Sequence, residues 1–194
     1  MSVDDADEHG RRLILHARDN GAPDERIVAI YAQSKVGRAF FDLWNLAMGP
    51  TDLPLRLKEL VRLQMSVSHE CGYCTSVRSK AAAAEGVTEE LIAEMLDFEH
   101  SDHFSDAERC ALWFAKLYKF HPDRLRDDAV WDALHAQFSD AQIVELGVLL
   151  TLMNGGSDFA KSLDLVSWSE VCELNPHLAR VMKRIAVREA ATGT

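Results

Sequence analysis

The sequence predicts an all-α protein whose helices pack as a bundle around one hydrophobic core. Its 194 residues include only 10 glycines and 5 prolines, the residues that most often interrupt helices. No segment alternates apolar and polar residues as a half-buried strand would. Apolar residues recur instead at helical spacing, and 47% of the chain is hydrophobic, enough for a sizeable core. We therefore expect a single all-helical domain over residues 1–194.

The expected helices follow one another with short connections. They cover approximately residues 11–20, 25–32, 36–47, 54–69, 71–84, 88–96, 105–120, 127–137, 139–153, 159–166 and 176–190. In this prediction the first ten residues form a frayed acidic tail, and residues 97–104 form a polar loop.

Glycine, proline and one threonine place the boundaries in the first half. Gly21-Ala22-Pro23 ends the first helix, and Gly49-Pro50 ends the third, which is strongly apolar. Pro54 suits the first turn of the fourth helix, where no N–H donor is needed. Gly86 closes the helix that contains two cysteines, and Thr88 is the N-cap of the next helix.

Capping boxes place two helices in the second half. Ser105 with Glu108, and Ser139 with Gln142, have the spacing at which side chain and backbone cap each other. The helix that begins after Ser139 is apolar on almost every side. We expect it to be the buried centre of the bundle and to end at Asn154-Gly155-Gly156.

The charge of the chain excludes two classes of partner. A net charge of −10 argues against nucleic acid and anionic membranes, because both are bound by a concentrated basic face. The longest strongly apolar run, residues 143–153, is too short to cross a bilayer. The N-terminus is acidic where a signal peptide needs positive charge, so we expect a cytoplasmic protein.

Cys71 and Cys74 form the most informative motif, a C-x-x-C pair. Their separation on the first turn of a helix brings both sulfurs to one face, within reach of a disulfide. Amides at a helix start also stabilise a thiolate. Half of a zinc site is an alternative, but there is no second C-x-x-C, and His69, Cys110 and Cys172 lack zinc-finger spacing. Redox chemistry is therefore favoured, with inert packing as the remaining possibility.

The segment before the cysteines adds a second landmark. Residues 53–61 read Leu-Pro-Leu-Arg-Leu-Lys-Glu-Leu-Val, and Cys-Gly-Tyr-Cys follows at 71–74. Together they resemble the carboxymuconolactone decarboxylase superfamily, and within it the alkylhydroperoxidase D-like (AhpD-like) branch. Segments 104–109 and 138–146 also look like this family, and the resemblance covers roughly residues 36–165.

The AhpD-like branch carries Glu, eleven residues, C-x-x-C, three residues and His. Glu59, Cys71 and Cys74 match the first three landmarks, whereas Arg78 stands where the family has histidine. The resemblance implies an all-helical core, with residues 1–35 and 166–194 as appended helices, and assembly into homotrimers or homohexamers. It also implies thiol-dependent peroxidase or disulfide reductase activity without a metal or a bound organic cofactor.

Three charged or titratable residues are candidates for activating the thiols. In a continuous helix, Arg78 lies one turn beyond Cys74, where it supplies charge but cannot act as a general base. Glu59 is predicted either to receive the cysteine proton or to pair with Arg78. His69, two residues before Cys71, is a candidate replacement for the missing base, with structural hydrogen bonding as the alternative.

Other residues are secondary candidates. Tyr73, between the cysteines, is placed to donate to a sulfur or a peroxide oxygen, and packing is equally plausible for it. Glu145 is either an acid behind the site or a structural group paired with an arginine. We expect Cys110 and Cys172 to pack in the interior and the two histidines of loop 97–104 to be solvated.

The sequence thus predicts a thiol-dependent peroxidase or disulfide oxidoreductase of the peroxiredoxin type. Its substrate would be a hydroperoxide or a disulfide, and a dithiol protein would reduce the oxidised pair. Two alternatives stay open at this point. One is a non-enzymatic, oligomeric redox-sensing or binding module of the same fold, and the other is a carboxymuconolactone-type decarboxylase.

Overall fold

The computed structural model describes residues 6–19 and 25–169, and all regular secondary structure in these ranges is helical. This confirms the all-α prediction. The helices are α1 (Glu8–Asp19), α2 (Arg26–Tyr31), α3 (Lys35–Met48), α4 (Leu55–Ser68), α5 (Gly72–Ser76), α6 (Lys80–Ala84), α7 (Glu89–Met95), α8 (Asp106–Phe120), α9 (Asp128–His135) and α10 (Asp140–Ser162). Short 3-10 turns cover Phe98–His100 and Pro122–Arg126.

The buried centre of the bundle is α4, not the later helix that the sequence favoured. All residues from Leu57 to Val67 are buried, because α8 and α10 pack along α4 while the short helices α5, α6 and α7 cover its remaining sides. Helix α10 contributes one face to the core and leaves Val144 66% exposed and Val148 37% exposed. The all-round apolar pattern of this helix therefore does not correspond to complete burial.

Helix α10 runs through the predicted stop at Asn154-Gly155-Gly156 and ends at Ser162. At Gly156 an added Cβ would lie 3.1 Å from the ring of Phe40, so the missing side chain lets α3 approach α10 closely. This packing offsets the weak helix propensity of glycine, about 1 kcal/mol relative to alanine. The separate helix predicted from residue 159 is the end of α10.

The helix predicted over residues 71–84 is interrupted after Ser76. Val77 is extended, with φ −68° and ψ 134°, and Ser79 caps α6 by accepting a hydrogen bond from the Ala82 amide. The carbonyl oxygens of Cys74 and Val77 accept hydrogen bonds from the Arg62 side chain, so an arginine replaces the helical amides there. The break changes where Arg78 lies.

The N-terminal helix begins earlier than predicted. The Asp7 carboxylate accepts a hydrogen bond from the Gly10 amide, and α1 starts at Glu8, within the predicted acidic tail. The helix expected over residues 176–190 and Cys172 lie outside the described residues. Among the described helices, none is long and apolar enough to span a membrane.

Candidate active site

Cys71 and Cys74 lie at the start of α5 and form a disulfide with a Cα–Cα distance of 5.3 Å. Cys71 is the N-cap of this helix, and its sulfur accepts a hydrogen bond from the Cys74 amide at 3.2 Å. The same amide is placed to stabilise a Cys71 thiolate after reduction. The two cysteines therefore lie at a helix start within disulfide distance, as their spacing predicted, although this helix has only five residues.

The two sulfurs differ in access. Cys71 is fully buried, in a cluster with residues of α1 and α2 and with Ala160. Gly72, beside it, lies so close to the backbone of Val166 and Ser167 that a Cβ would clash, and this segment covers α5. Cys74 is half-buried and lines a cavity. Of the two cysteines, Cys74 is therefore the residue that a small molecule in the cavity contacts.

The cavity has a volume of about 180 Å³ and lies between α1–α3 and α10, with α5 and one residue of α4 completing its wall. Its walls are mostly apolar, and four aromatic side chains from α2 and α3 form one side. The lining residues include Tyr31, Phe40, Phe41, Trp44, Arg62, Tyr73, Cys74 and Ser157. Tyr73, a secondary candidate, is therefore a buried wall residue beside the disulfide.

Arg62 is the site residue that the sequence analysis missed. Its guanidinium pairs with both carboxylate oxygens of Glu59, at 2.7 and 2.8 Å, and donates to the carbonyl oxygens of Cys74 and Val77. Both side chains of the pair are almost completely buried, 3% exposed for Arg62 and 2% for Glu59. The signal was present in the sequence, since Glu59 and Arg62 have the i,i+3 spacing of a helical ion pair.

Glu59 consequently does not pair with Arg78, which corrects one of its two predicted roles. Its carboxylate holds Arg62, and Arg62 in turn holds the backbone on the C-terminal side of Cys74. Transfer of the cysteine proton to Glu59 would have to compete with this bidentate ion pair. The geometry therefore supports Glu59 as a positioning residue.

The predicted position of Arg78, one helical turn beyond Cys74, is wrong because α5 ends at Ser76. Its guanidinium pairs with Glu89 on α7, at 2.6 and 3.2 Å, and donates to the backbone carbonyls of Thr75 and Val77. Both partners of the Glu89 pair are partly exposed. Arg78 connects α7 to the end of α5.

Replacing Arg78 by alanine should therefore leave the reactivity of Cys74 nearly unchanged. A cation in contact with the thiolate would shift the pKa by about 1 to 3 units, and its removal would slow alkylation by tenfold or more. We expect a change of less than about threefold, since Arg78 is held by Glu89. The measurement is the rate of iodoacetamide alkylation of the reduced protein at pH 7, with Glu89→Gln as the matched control. Alkylation that is tenfold slower in Arg78→Ala would show that Arg78 acts on the thiolate.

His69 lies at the C-terminal end of α4, buried between α8 and α10. Its Nδ1 atom is 2.7 Å from a carboxylate oxygen of Asp158 and 2.9 Å from Lys119 Nζ. Burial lowers the pKa of His69, against the opposing effect of the hydrogen bond to Asp158. Nε2 is buried, and a hydrogen bond between the ring and the Asn154 side chain also opposes the lowering of the pKa by burial. The ring is therefore held by polar side chains of α8 and α10.

Acidification should destabilise the fold through His69. An unfolded histidine has a pKa near 6.5, and burial lowers the folded value, so the unfolded chain takes up the proton more readily. The contribution of His69 to stability is therefore present above about pH 6.5 and decreases as the pH falls below it. Urea unfolding at about pH 7.5 and 5.5 should show a larger loss of stability for the wild type than for His69→Gln. Equal losses would contradict this assignment.

Glu145 lies away from the cysteines and has a structural role. Its carboxylate accepts hydrogen bonds from the amides of Asp52 and Leu53, at 3.2 and 3.1 Å, and so fixes the turn before α4. Burial favours its neutral form, but hydrogen bonds from Thr51 and from these two amides, with the nearby Lys58 ammonium, lower its pKa overall. Glu145 is therefore not an acid behind the site, and the partner of its carboxylate is backbone rather than arginine.

The remaining candidates contribute no chemistry to this site. Cys110 donates to the carbonyl of Ala133 at 3.5 Å, and burial raises the pKa of its thiol. His100 and His103 pair with acidic neighbours near α7. No group of three or more His, Cys, Asp or Glu side chains in residues 6–19 and 25–169 is placed to hold a metal ion.

Comparison with known proteins finds a family match over part of the chain. The carboxymuconolactone decarboxylase family matches residues 34–117, which include Glu59, Arg62 and both cysteines. The uncharacterized protein YnjA of Escherichia coli is 31% identical over 110 residues, 56% of this chain and 59% of the relative. YdfG of Bacillus subtilis is 22% identical over 97 residues, 50% of this chain and 66% of the relative. The matched segments span less than two thirds of either relative.

Solved structures show the same fold. A protein of unknown function from Agrobacterium tumefaciens, suggested to be an antioxidant defence protein AhpD, has a TM-score of 0.58 and 24% identity over 65% of this chain and 86% of that chain. The debrominase Bmp8 has a TM-score of 0.75 and 20% identity over 92% of this chain and 95% of its own. A cysteine-to-alanine variant of Bmp8 in complex with 2,3,4-tribromopyrrole has a TM-score of 0.73.

Proposed function

We propose that this chain, whose residues 34–117 belong to the carboxymuconolactone decarboxylase family and whose fold is AhpD-like, is a thiol–disulfide oxidoreductase that reduces a hydroperoxide. The observation that carries the proposal is the Cys71–Cys74 disulfide, one residue of which, Cys74, lines an apolar cavity. A buried partner sulfur three residues away is placed to complete a disulfide without a large backbone movement.

The proposed reaction has two steps within the protein. The Cys74 thiolate attacks the terminal oxygen of the hydroperoxide, the O–O bond breaks, and the alkoxide takes up a proton and leaves as an alcohol. Cys74 is then a sulfenic acid. The Cys71 thiolate attacks the Cys74 sulfur and expels hydroxide, which becomes water with one proton, and the disulfide forms.

A dithiol protein is the proposed reductant, and the unequal access of the sulfurs gives the order of its attack. Its thiolate reaches Cys74 and forms a mixed disulfide there, and Cys71 leaves as a thiolate. The hydrogen bond from the Cys74 amide to the Cys71 sulfur favours that leaving group. The second thiol of the reductant then releases Cys74.

Steady-state consumption of cumene hydroperoxide in the presence of dithiothreitol tests this proposal. We expect turnover, and mass spectrometry of the peroxide-treated protein should show a Cys71–Cys74 linkage. Oxidation of both thiols without turnover would favour the redox-sensing alternative. A mapped bridge from either cysteine to Cys110 would overturn the site assignment.

Reductive dehalogenation of a small aromatic compound is a second candidate, favoured by the aromatic cavity wall beside Cys74 and by the fold shared with Bmp8. In that reaction the two thiols supply two electrons, the aromatic carbon gains a proton and loses a halide, and the cysteines form the disulfide. Release of bromide from a bromophenol, stoichiometric with loss of the two thiols, would distinguish this activity from peroxide reduction.

We also propose that the chain assembles as a homotrimer or homohexamer, with an apolar groove between α3, α9 and α10 covered by another copy. Exposed side chains from these three helices, Leu43, Trp131, Val144 and Val148, line the groove. Water contact over this area is unfavourable for a free monomer. Light scattering should give at least three times the chain mass of 21.7 kDa for the wild type, and a lower mass for Val148→Glu. A monomeric wild type at micromolar concentration would contradict the proposal.

A further inference from the structure

We propose that the cavity beside Cys74 selects a small, neutral, monocyclic aromatic compound with one hydrogen-bonding group, and that the hydroxyl of Ser157 binds that group. This inference deepens the proposed function, on which it rests for the role of Cys74 as the reacting sulfur. The binding itself needs no redox step. It can therefore be tested on the oxidised protein, in which both cysteines are held in the disulfide.

The volume of the cavity limits the ligand to about one ring. An engineered protein cavity of about 150 Å³ with apolar walls binds benzene. The cavity here, about 180 Å³, leaves room for one ring with one or two small substituents. A long alkyl chain would extend outside it, and a folded peptide would not fit within it.

The walls favour an aromatic ligand over an aliphatic one of the same size. Tyr31 packs against Phe41 edge to face, with ring centroids 5.1 Å apart, and against Phe40 at 5.0 Å, and both phenylalanines line the cavity with it. A further ring can join this cluster in offset or edge-to-face geometry, which stabilises aromatic pairs beyond their buried area.

The charges at the cavity favour a neutral ligand. The basic residues of the lining are His16 and Arg62. Four hydrogen bonds from the five N–H groups of Arg62 go to Glu59 and to the carbonyls of Cys74 and Val77. The guanidinium is neutralised by a buried carboxylate, and four of its five donors are engaged. A ligand carboxylate would lose its water without gaining an equivalent partner.

Ser157 supplies the polar contact. It lines the cavity, is 1% exposed, and its hydroxyl has no hydrogen-bond partner among the described residues. A serine within a helix normally donates to the carbonyl four residues earlier, and this hydroxyl does not. A buried hydroxyl without a partner lowers stability until a partner arrives, so the hydroxyl or N–H of an aromatic ligand would satisfy it.

Titration of the oxidised protein with phenol, benzene, cyclohexanol and benzoate, followed by NMR, tests the inference. We expect saturable binding of phenol and benzene, with cyclohexanol and benzoate at least tenfold weaker. Ser157→Ala should weaken phenol about tenfold, the effect of one hydrogen bond, and leave benzene unchanged. Ser162→Ala, an exposed serine of the same helix outside the cavity, is the matched control.

Each result bears on one part of the inference. Absence of saturable binding of both aromatic probes, or equal binding of benzoate, would overturn the substrate class. Equal loss of phenol and benzene affinity in Ser157→Ala, or no loss of either, would overturn the role of the hydroxyl. The proposed function is tested separately. Binding of phenol without peroxide turnover would contradict the proposed function and support the inference. Turnover of hydrogen peroxide without binding of aromatic compounds would support the function and contradict the inference.

Discussion

Replacing Cys74 by serine should abolish peroxide turnover, whereas replacing Cys71 should leave a single round of oxidation. Cys74 is the sulfur that lines the cavity, and Cys71 is fully buried behind it. A hydroxyl in place of the nucleophilic thiolate lowers turnover by roughly a thousandfold or more. In Cys71→Ser, Cys74 should still react once with peroxide and stop as a sulfenic acid that a dimedone probe captures.

Three variants separate these roles. Rapid mixing with one equivalent of peroxide should give a full burst for the wild type and for Cys71→Ser, and none for Cys74→Ser. Cys110→Ser is the control and should keep full turnover, because the Cys110 thiol is engaged with the Ala133 carbonyl in the interior. A burst that is present in Cys74→Ser and absent in Cys71→Ser would show that Cys71, not Cys74, attacks the peroxide.

The features that sequence reasoning predicted correctly are local ones. The capping boxes at Ser105 and Ser139 are both formed, and the helices they begin start one residue later. The C-x-x-C pair forms a disulfide for the same reason, because a separation of three residues at a helix start fixes the distance between the sulfurs. Interactions within one helical turn depend little on the rest of the fold.

The features that sequence reasoning missed depend on contacts between residues that are distant in the sequence. Helix α5 ends at Ser76, where Arg62, 12 and 15 residues earlier in the sequence, donates hydrogen bonds to the carbonyls of Cys74 and Val77. Local helix propensity does not report hydrogen bonds from a distant side chain. The sequence pattern therefore predicted a continuous helix, with Arg78 beside Cys74. Glu145 reaches a turn more than 90 residues away in sequence, which no spacing rule identifies.

Breaking the Glu59–Arg62 pair should have the largest effect on stability of any substitution at the site. Arg62→Met leaves the Glu59 carboxylate buried without its cation and the carbonyl of Cys74 without its side-chain donor, while the Val77 carbonyl keeps its hydrogen bond from Arg78. Removal of one partner of a buried ion pair destabilises a protein by about 3 to 5 kcal/mol. Urea unfolding of the oxidised proteins measures this loss, and Arg78→Ala is the control, because its partly exposed pair with Glu89 contributes about 0 to 1 kcal/mol.

The double variant Glu59→Leu/Arg62→Met tests whether the pair is needed for stability or for position. Two apolar side chains leave no unpaired charge, so most of the loss in stability should be recovered. The Cys74 carbonyl still lacks the donor that Arg62 supplied, so Cys74 should be less well positioned and its peroxide burst should stay at least tenfold slower than in the wild type. Recovery of both stability and burst rate would show that the pair does not position the cysteines. A loss below about 1 kcal/mol for Arg62→Met alone would show that the pair is not buried in solution.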